Sequence, residues 1–284
     1  MRNILFLVVF GALVASVGST SALAQSKSPK PAEFKTRKGN AVWVYLPKAV
    51  GPAQKVGCVL IPPAGSRLFH GMQLGSGDRA EHRPYADAGF AVVAFEISGA
   101  TSGVFNTKKT RSAMKAFQAA EWGIVDAFDA LALALDKFPQ IDRERIYAVG
   151  HSSAGTLALQ IASSTNAVRA CVAYAPVCDV EGFIGEAELA MLDSWVPGTA
   201  LSLKAGSPMN RFESMHAPVF LFNARDDSVV DPGSVAAFRQ ELARRRVRFE
   251  HVIAKSGGHY DSMLNVGIPE AIKWLKKIDG EAVK

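Results

Sequence analysis

Short apolar runs recur along the chain and are separated by longer segments in which apolar residues repeat with helical spacing. Several of the short runs are almost wholly apolar, which is typical of strands that are covered on both faces. The pattern predicts strands over residues 41–45, 56–61, 90–97, 145–149, 168–175, 218–222 and 248–254, and helices over 112–137, 154–164, 232–245 and 269–278. Strands that alternate with helices in this way predict an α/β fold, with a mostly parallel central sheet and helices on both faces.

The N-terminal residues differ in pattern from the rest of the chain. Residues 4–17 are an uninterrupted apolar or small-residue run after Arg2, and Ala22-Leu23-Ala24 has the small residues of a cleavage site. The run is shorter than the roughly 20 residues that span a membrane. We therefore expect residues 1–24 to be a signal peptide and residues 25–33 a flexible leader. The mature protein is then exported, to the periplasm or the medium, without a stable membrane anchor.

Residues 34–284 are predicted to form one domain, because this part of the chain has no internal repeat, low-complexity tract or second linker. The whole sequence of 284 residues is 49% hydrophobic and 20% charged, which excludes a disordered or coiled-coil protein. The net charge of +6 is spread along the chain without a block of like charges, so nucleic-acid binding is not predicted. No motif indicates a metal site or a cofactor. The sequence sets no oligomeric state.

The chain has 3 cysteines, an odd number that cannot pair completely within one molecule. Cys58 and Cys171 lie in apolar runs and are predicted to be buried core residues, whereas Cys178 lies nearer a loop. A bridge between Cys171 and Cys178 stays open for an exported protein, although their spacing does not argue for it.

A small-residue turn lies between the predicted strand 145–149 and the helix that follows it. Its sequence is Gly150-His151-Ser152-Ser153-Ala154-Gly155. A sharp strand-to-helix turn of this kind places the central serine at its apex, with the hydroxyl exposed above the first amides of the helix. Small residues are needed two positions before and after the serine, because the backbone is crowded there. Ala154 departs from the usual glycine. The turn makes Ser152 a candidate nucleophile.

A serine hydroxyl needs a base to take its proton, and the base needs an acid to orient it. An acidic loop with Asp226 and Asp227 follows strand 218–222, and a glycine-rich turn with His259 follows strand 248–254. Serine, aspartate and histidine in this order, each just beyond a strand, is the chain order of an α/β-hydrolase triad. Asp227 is preferred to Asp226 because Val229-Val230 follows it in an Asp-x-hydrophobic-hydrophobic pattern. Asp226 would then hydrogen-bond within the loop.

The sequence resembles α/β-hydrolases of the dienelactone hydrolase and prolyl oligopeptidase-like group over nearly the whole mature chain. Besides the serine turn, the resemblance rests on Val59-Leu60-Ile61-Pro62-Pro63-Ala64-Gly65, on residues 85–93, on Ile141-Asp142-Arg143-Glu144-Arg145-Ile146 and on residues 207–219. It implies an α/β-hydrolase fold, with Ser152 as nucleophile, His259 as general base and Asp227 as the orienting acid. It also implies hydrolysis through an acyl-enzyme, without a cofactor.

The tetrahedral oxyanion needs backbone donors as well. One is expected from the N–H of Ser153 and the other from the loop after strand 56–61. Pro62 and Pro63 have no N–H, so the second donor must come from Ala64, Gly65 or a later residue such as Ser66, with Ala64 as first choice.

The site surroundings set expectations about the substrate. Residues 179–210 lie where a lid would be and are too few to enclose a large lipid site, so a short lid or none is predicted. His70 and His82 fall in the polar stretch 69–83, which is expected to be a solvated loop. The first-choice function is an exported serine hydrolase that cleaves small or medium-sized soluble carboxylic esters.

Two alternatives to the ester hydrolase stay open. The first is an amidase or peptidase of the prolyl oligopeptidase-like type, which uses the same groups. The second is a binding protein on a decayed hydrolase fold, suggested by Pro62-Pro63 and Ala154. The chain has Ser152 where dienelactone hydrolases have cysteine, and the residues before the first strand are too few to form the propeller of prolyl oligopeptidases.

Overall fold

A computed structural model describes residues 30–48, 50–101 and 107–281. The predicted signal peptide and its cleavage point lie outside these residues. The first described strand begins at Ala32, within the last two residues of the predicted leader 25–33. It is a short edge strand with mostly exposed residues.

In the described part of the chain, eight strands form one sheet in the order β1-β2-β4-β3-β5-β6-β7-β8. The strands are β1 (Ala32–Lys35), β2 (Ala41–Tyr45), β3 (Val56–Ile61), β4 (Ala91–Phe95), β5 (Ile141–His151), β6 (Val168–Tyr174), β7 (Val219–Ala224) and β8 (Phe249–Ala254). β2 is antiparallel to both of its neighbours, and β3 to β8 run parallel to one another. The predicted α/β fold with a mostly parallel sheet is confirmed.

Alternate residues of the strands face two different apolar cores. Along β3, Cys58 and Leu60 point to one core, and Val59 and Ile61 point to the other. All four side chains are at most 1% exposed. This burial on both faces explains the continuous apolar runs that mark the strands in the sequence.

Helices cover both faces of the sheet. They are α1 (Arg79–Asp87), α2 (Thr107–Ala119), α3 (Ile124–Lys137), α4 (Ser153–Ala162), α5 (Val180–Ile184), α6 (Glu186–Trp195), α7 (Thr199–Gly206), α8 (Pro232–Arg244) and α9 (Ile268–Asp279). α3, α4 and α8 pack on the face that Leu60 joins, while α1 and α9 pack on the face that Val59 joins. Within the described ranges, no helix combines the length and apolarity needed to cross a membrane.

The helix predicted over residues 112–137 is wrong in one respect, because the structure divides it into α2 and α3. Glu121, Trp122 and Gly123 lie between them with φ of 49°, 60° and 103°. Three successive residues in the left-handed region cannot continue a right-handed helix. Neither Glu nor Trp signals such a turn in the sequence.

The expectation of a loop over residues 69–83 is also corrected, since α1 begins at Arg79. The helix buries one side, which includes Glu81, His82 and Tyr85, against the sheet. Its polar composition and the internal Pro84 hide this in the sequence.

Helices α5, α6 and α7 form the segment that we call the cap, between β6 and β7. Their apolar side chains share one buried cluster with the loop after β3, through Leu68 and Phe69, and with the loop after β7, through Val230. The cap is therefore packed directly onto two loops at the carboxyl ends of the parallel strands.

The three cysteines, all within the described part of the chain, are buried and unpaired. Burial raises the pKa of the Cys58 thiol to about 12. The bridge left open between Cys171 and Cys178 is not formed.

Candidate active site

Ser152 lies at the sharp turn from β5 into α4, with φ of 55° and ψ of −123°. Positive φ is strained for a residue with a side chain and is tolerated only where the surroundings fix it. One such constraint is the Ser152 N–H, which donates a 2.8 Å hydrogen bond to the Tyr174 carbonyl at the end of β6. The turn therefore holds Ser152 at the carboxyl edge of the parallel strands.

Two glycines make this turn sterically feasible. A Cβ at Gly150 would lie 2.2 Å from the Ala154 carbonyl oxygen, and one at Gly155 would lie 3.0 Å from the Gly150 oxygen. Ala154 itself is fully buried with its methyl accommodated in the core. The departure from the usual pattern at this position is thus compatible with the turn, and the close backbone approaches fall on Gly150 and Gly155.

His259 and Asp227 are joined by a hydrogen bond of 2.8 Å between His259 Nδ1 and Asp227 Oδ2. The other carboxylate oxygen, Asp227 Oδ1, accepts the N–H groups of Val229 at 2.8 Å and Val230 at 3.0 Å. Burial alone would raise the pKa of Asp227, but the hydrogen bond from His259 and these two amides lower it below its usual value. The fully buried side chain is consequently an ionised acceptor that fixes the His259 ring.

Asp226, the neighbouring candidate, faces elsewhere. Its carboxylate accepts the N–H groups of Gly258 at 2.9 Å and Gly257 at 3.1 Å. These two hydrogen bonds lower the pKa of the exposed Asp226. The two aspartates therefore have different contacts. Asp227 binds the His259 imidazole, and Asp226 binds the backbone of the glycine turn that precedes His259.

His259 lies beside the serine turn. Its ring centroid is 4.5 Å from that of His151, the residue that precedes Ser152. The Ser152 hydroxyl makes no hydrogen bond with the described residues, the His259 imidazole included. Catalytic hydrogen bonds in enzymes without substrate are often long and shorten in the reacting complex.

The loop after β3 reaches the serine turn through Ser153. The N–H groups of Gly65 and Ser66 each donate a 3.1 Å hydrogen bond to Ser153 Oγ. Of the three donors considered from the sequence, Ala64 is then the one whose N–H has no partner among the described residues. The N–H groups of Ala64 and of Ser153, at the start of α4, are the donors left for an oxyanion.

Two histidines in the stretch after this loop do not join the site. His70 is buried, and its Nδ1 lies 2.7 Å from the Gly71 carbonyl oxygen. His82 is 1% exposed on α1, and its ring contacts those of Trp43 and Tyr45. Both side chains are therefore buried against the protein interior and do not form the rim of the site.

Residues 78–278 match the prolyl oligopeptidase family. This range covers most of the chain and includes Ser152, Asp227 and His259. The chain belongs to the prolyl oligopeptidase family. The resemblance to the prolyl oligopeptidase-like group drawn from the sequence is confirmed. Among curated proteins, no relative matches the chain.

Several solved structures share the fold of this chain. Pyrococcus horikoshii acylaminoacyl peptidase matches 93% of this chain with 15% identity and a TM-score of 0.69. Porphyromonas gingivalis dipeptidyl peptidase 4 matches 88% with 17% identity and a TM-score of 0.67. A Mycobacterium tuberculosis puromycin-hydrolyzing peptidase matches 89% with 16% identity and a TM-score of 0.67. The chain covers only 43%, 35% and 40% of these three proteins.

Proposed function

We propose that this chain is a serine peptidase or amidase that cleaves short acylated amides through an acyl-enzyme on Ser152. The observation that carries the proposal is the 2.8 Å hydrogen bond between His259 and Asp227, beside a serine held in a strained turn. A buried carboxylate on Nδ1 leaves Nε2 of the imidazole unprotonated and free to act as a base.

The reaction follows from these positions. His259 Nε2 takes the proton of the Ser152 hydroxyl as the oxygen adds to the substrate carbonyl carbon. The N–H groups of Ser153 and Ala64 stabilise the resulting oxyanion. His259 then donates its proton to the leaving nitrogen, and the carbon–nitrogen bond breaks. Water, deprotonated by the same imidazole, hydrolyses the acyl ester and restores Ser152.

Membership of the prolyl oligopeptidase family supports an amide over the ester that was the first choice from the sequence. Three matching structures are described as an acylaminoacyl peptidase, a dipeptidyl peptidase and a puromycin-hydrolyzing peptidase, and each acts on an amide. An amide also depends more strongly than an activated ester on protonation of its leaving group, which His259 can supply.

The proposed substrates are short because the cap lies directly on the site loops. Val180 at the start of α5 lines the same small cavity as Ser153, next to the serine turn. Phe183 and Met191 on the cap are apolar side chains that are 48% and 41% exposed. We therefore expect preference for a small apolar residue in an acylated peptide or arylamide.

The test compares p-nitroanilides with p-nitrophenyl esters that carry the same N-acetyl-aminoacyl group, for example that of alanine or phenylalanine. We expect kcat/KM to be measurable for the anilides and to be lost for both series in Ser152→Ala. Turnover of esters with no turnover of any matched anilide would instead identify an ester hydrolase. Absence of both activities in a folded protein would support the decayed binding protein.

We also propose that the protein is exported, on the strength of the apolar run 4–17 and the Ala22-Leu23-Ala24 sequence. N-terminal sequencing of the full-length chain expressed in a bacterium with periplasmic fractionation tests this. A periplasmic product that begins at Gln25 is expected. A cytoplasmic product that retains residue 2 would contradict it.

A further inference from the structure

We propose that the Ser153 side chain is a positioning residue that sets the oxyanion hole by holding the loop after β3. The inference rests on the proposed function, in which Ser153 contributes only its N–H. Its side chain touches neither the substrate nor Ser152 in this role. It acts through the backbone of residues 64–66.

The geometry is specific to one hydroxyl oxygen. Ser153 is the first residue of α4, and its side chain is buried under the loop. Its Oγ accepts two N–H groups, from Gly65 and Ser66, each at 3.1 Å. A hydroxyl oxygen has two acceptor lone pairs, and both are occupied here by N–H groups of the loop. The same residue that offers its N–H to the oxyanion therefore fixes the loop that carries the second donor.

The loop needs such an anchor because it leaves the sheet through two prolines. Pro62 and Pro63 follow Ile61, the last residue of β3, and have no N–H with which to extend a ladder. Gly65 has φ of 97°, so the backbone turns directly after Ala64. The loop beyond is closed on itself, since Ser66 Oγ accepts the Leu68 N–H at 3.1 Å and donates to the His70 carbonyl.

Fixing Gly65 and Ser66 leaves the direction of the Ala64 N–H determined by covalent geometry. Oxyanion donors contribute most when they are held in place before the reaction, within about 0.5 Å of the required position. Without an acceptor at position 153, the two N–H groups would turn toward water or substrate, and Ala64 would turn with them. The loss would fall on the transition state, which carries the oxyanion, more than on the bound substrate.

A cavity of about 20 Å³ borders Ser153 next to the loop. It is lined by Ser66 and Gln160 as well as by apolar residues, and it has room for about one water molecule. A slightly larger side chain at position 153 can therefore direct a methyl group into free space. This makes threonine and valine usable as a pair of equal shape that differ in the presence of the hydroxyl.

The experiment measures kcat and KM for an acyl p-nitroanilide, together with the inhibition constant of a boronic acid that forms a tetrahedral anion on the serine. The variants are Ser153→Ala, Ser153→Thr and Ser153→Val. The matched control is Ser163→Ala, which removes another buried hydroxyl that accepts a hydrogen bond, from Arg211 Nε at 3.0 Å. Ser163 follows the last residue of α4, about 15 Å from Ser153 along the helix.

We expect Ser153→Ala to lower kcat at least about 10-fold, with KM within about 2-fold, and to weaken boronate binding by a similar factor. Ser153→Thr should recover most of kcat, Ser153→Val should resemble Ser153→Ala, and Ser163→Ala should leave kcat within about 2-fold. If Ser153→Ala does not fold, the comparison of Thr with Val decides. Equal kcat in Thr and Val, or a change in KM alone, would overturn the inference.

Failure of the proposed function gives a different result from failure of this inference. If the wild-type chain and Ser152→Ala show the same lack of turnover, the hydrolase assignment is wrong, whatever position 153 does. If the wild-type chain is active and Ser152→Ala is not, the hydrolase assignment stands, and the Thr and Val variants alone decide the role of Ser153.

Discussion

His151 Nε2 donates a 2.9 Å hydrogen bond to the backbone carbonyl of His259, and the two rings lie 4.5 Å apart. Burial, followed by the proximity of His259, lowers the pKa of His151 to about 4. At neutral pH the ring is therefore uncharged, and the contact places its one N–H on Nε2. His151, inside the serine turn, thus holds the position of the histidine that faces Asp227.

Replacing His151 tests whether this hydrogen bond positions His259. In His151→Phe the ring packing is retained and the donor is lost, so we expect kcat to fall about 10-fold with little change in unfolding temperature. In His151→Gln the side-chain amide can donate from nearly the same place, so most of the activity should return. Steady-state kinetics with an acyl p-nitroanilide provide the measurement. Equal activity of the Phe and Gln variants would show that the hydrogen bond is irrelevant.

The adjacent aspartates should differ sharply when each is changed to asparagine. In Asp227→Asn the amide favours the wrong tautomer of His259, and kcat should fall by about 10³-fold or more. In Asp226→Asn one of the two hydrogen bonds to Gly257 and Gly258 is kept, and we expect a loss below about 10-fold. Both variants are compared with the wild-type chain by kcat at pH 7 and by circular dichroism. A larger loss in Asp226→Asn than in Asp227→Asn would reverse the assignment of the acid.

Glu81 on α1 should make the folded state less stable at alkaline pH. The side chain is 6% exposed. Burial, with a smaller contribution from Asp78, raises the pKa of this carboxyl from 4.5 to about 8. Between these two pH values the unfolded chain has lost the proton and the folded chain keeps it, so the free energy of unfolding falls as pH rises. Below pH 4.5 both states are protonated, and this destabilisation is absent.

The variant Glu81→Gln is neutral at every pH and should escape this loss. Urea unfolding at pH 5 and pH 9 is the measurement, and at pH 9 Glu81→Gln should exceed the wild-type free energy of unfolding by on the order of 4 kcal/mol. The same substitution at the exposed Glu186 tests whether the effect is specific to the buried carboxyl. An equal gain for both variants, or a gain at pH 5 as large as at pH 9, would contradict the prediction.

The end of α8 offers a stabilising change. Arg246 has φ of 58° in the turn that follows the helix. The Arg246 N–H donates a 3.1 Å hydrogen bond to the Ala243 carbonyl, and the Val247 N–H donates a 3.0 Å hydrogen bond to the Leu242 carbonyl. This is the position after a helix that favours glycine. Arg246→Gly should therefore raise the free energy of unfolding by about 1 kcal/mol. Ala243→Gly, three residues earlier inside the helix, should lower it by about 0.5–1 kcal/mol. Thermal unfolding that moves both variants in the same direction would contradict this.

Most strands of the sheet could be predicted from the sequence because they are buried on both faces. Burial on both faces requires continuous apolar runs, and these runs are visible in the sequence. β1 and α1 escaped the prediction for the converse reason: β1 is an exposed edge strand, and α1 buries charged and polar side chains such as Glu81 and His82. The break between α2 and α3 depends on left-handed backbone at Glu121 and Trp122, which local propensity does not show.

The sequence predicted which strand ends carry the residues of the candidate site. It did not predict which of these residues contact one another. Asp226 and Asp227 follow the same strand, and which of them meets His259 depends on the fold of the loop rather than on residue type. The hydrogen bonds that Ser153 Oγ accepts from the N–H groups of Gly65 and Ser66 join residues that are 88 and 87 positions apart in the chain. No pattern near Ser153 marks a side-chain role, and only adjacency to Ser152 draws attention to it.

The adduct formed by a fluorophosphonate probe, mapped by mass spectrometry of proteolytic peptides, is the most direct measurement of which hydroxyl reacts. Ser152 lies in the strained turn and its hydroxyl has no hydrogen-bond partner in the described part of the chain, while the Ser153 oxygen accepts two backbone N–H groups. We expect the adduct on Ser152, none in Ser152→Ala, and a slower but complete reaction in Ser153→Ala. A folded wild-type chain that takes up no probe, or an adduct on Ser153, would show that Ser152 is not the nucleophile.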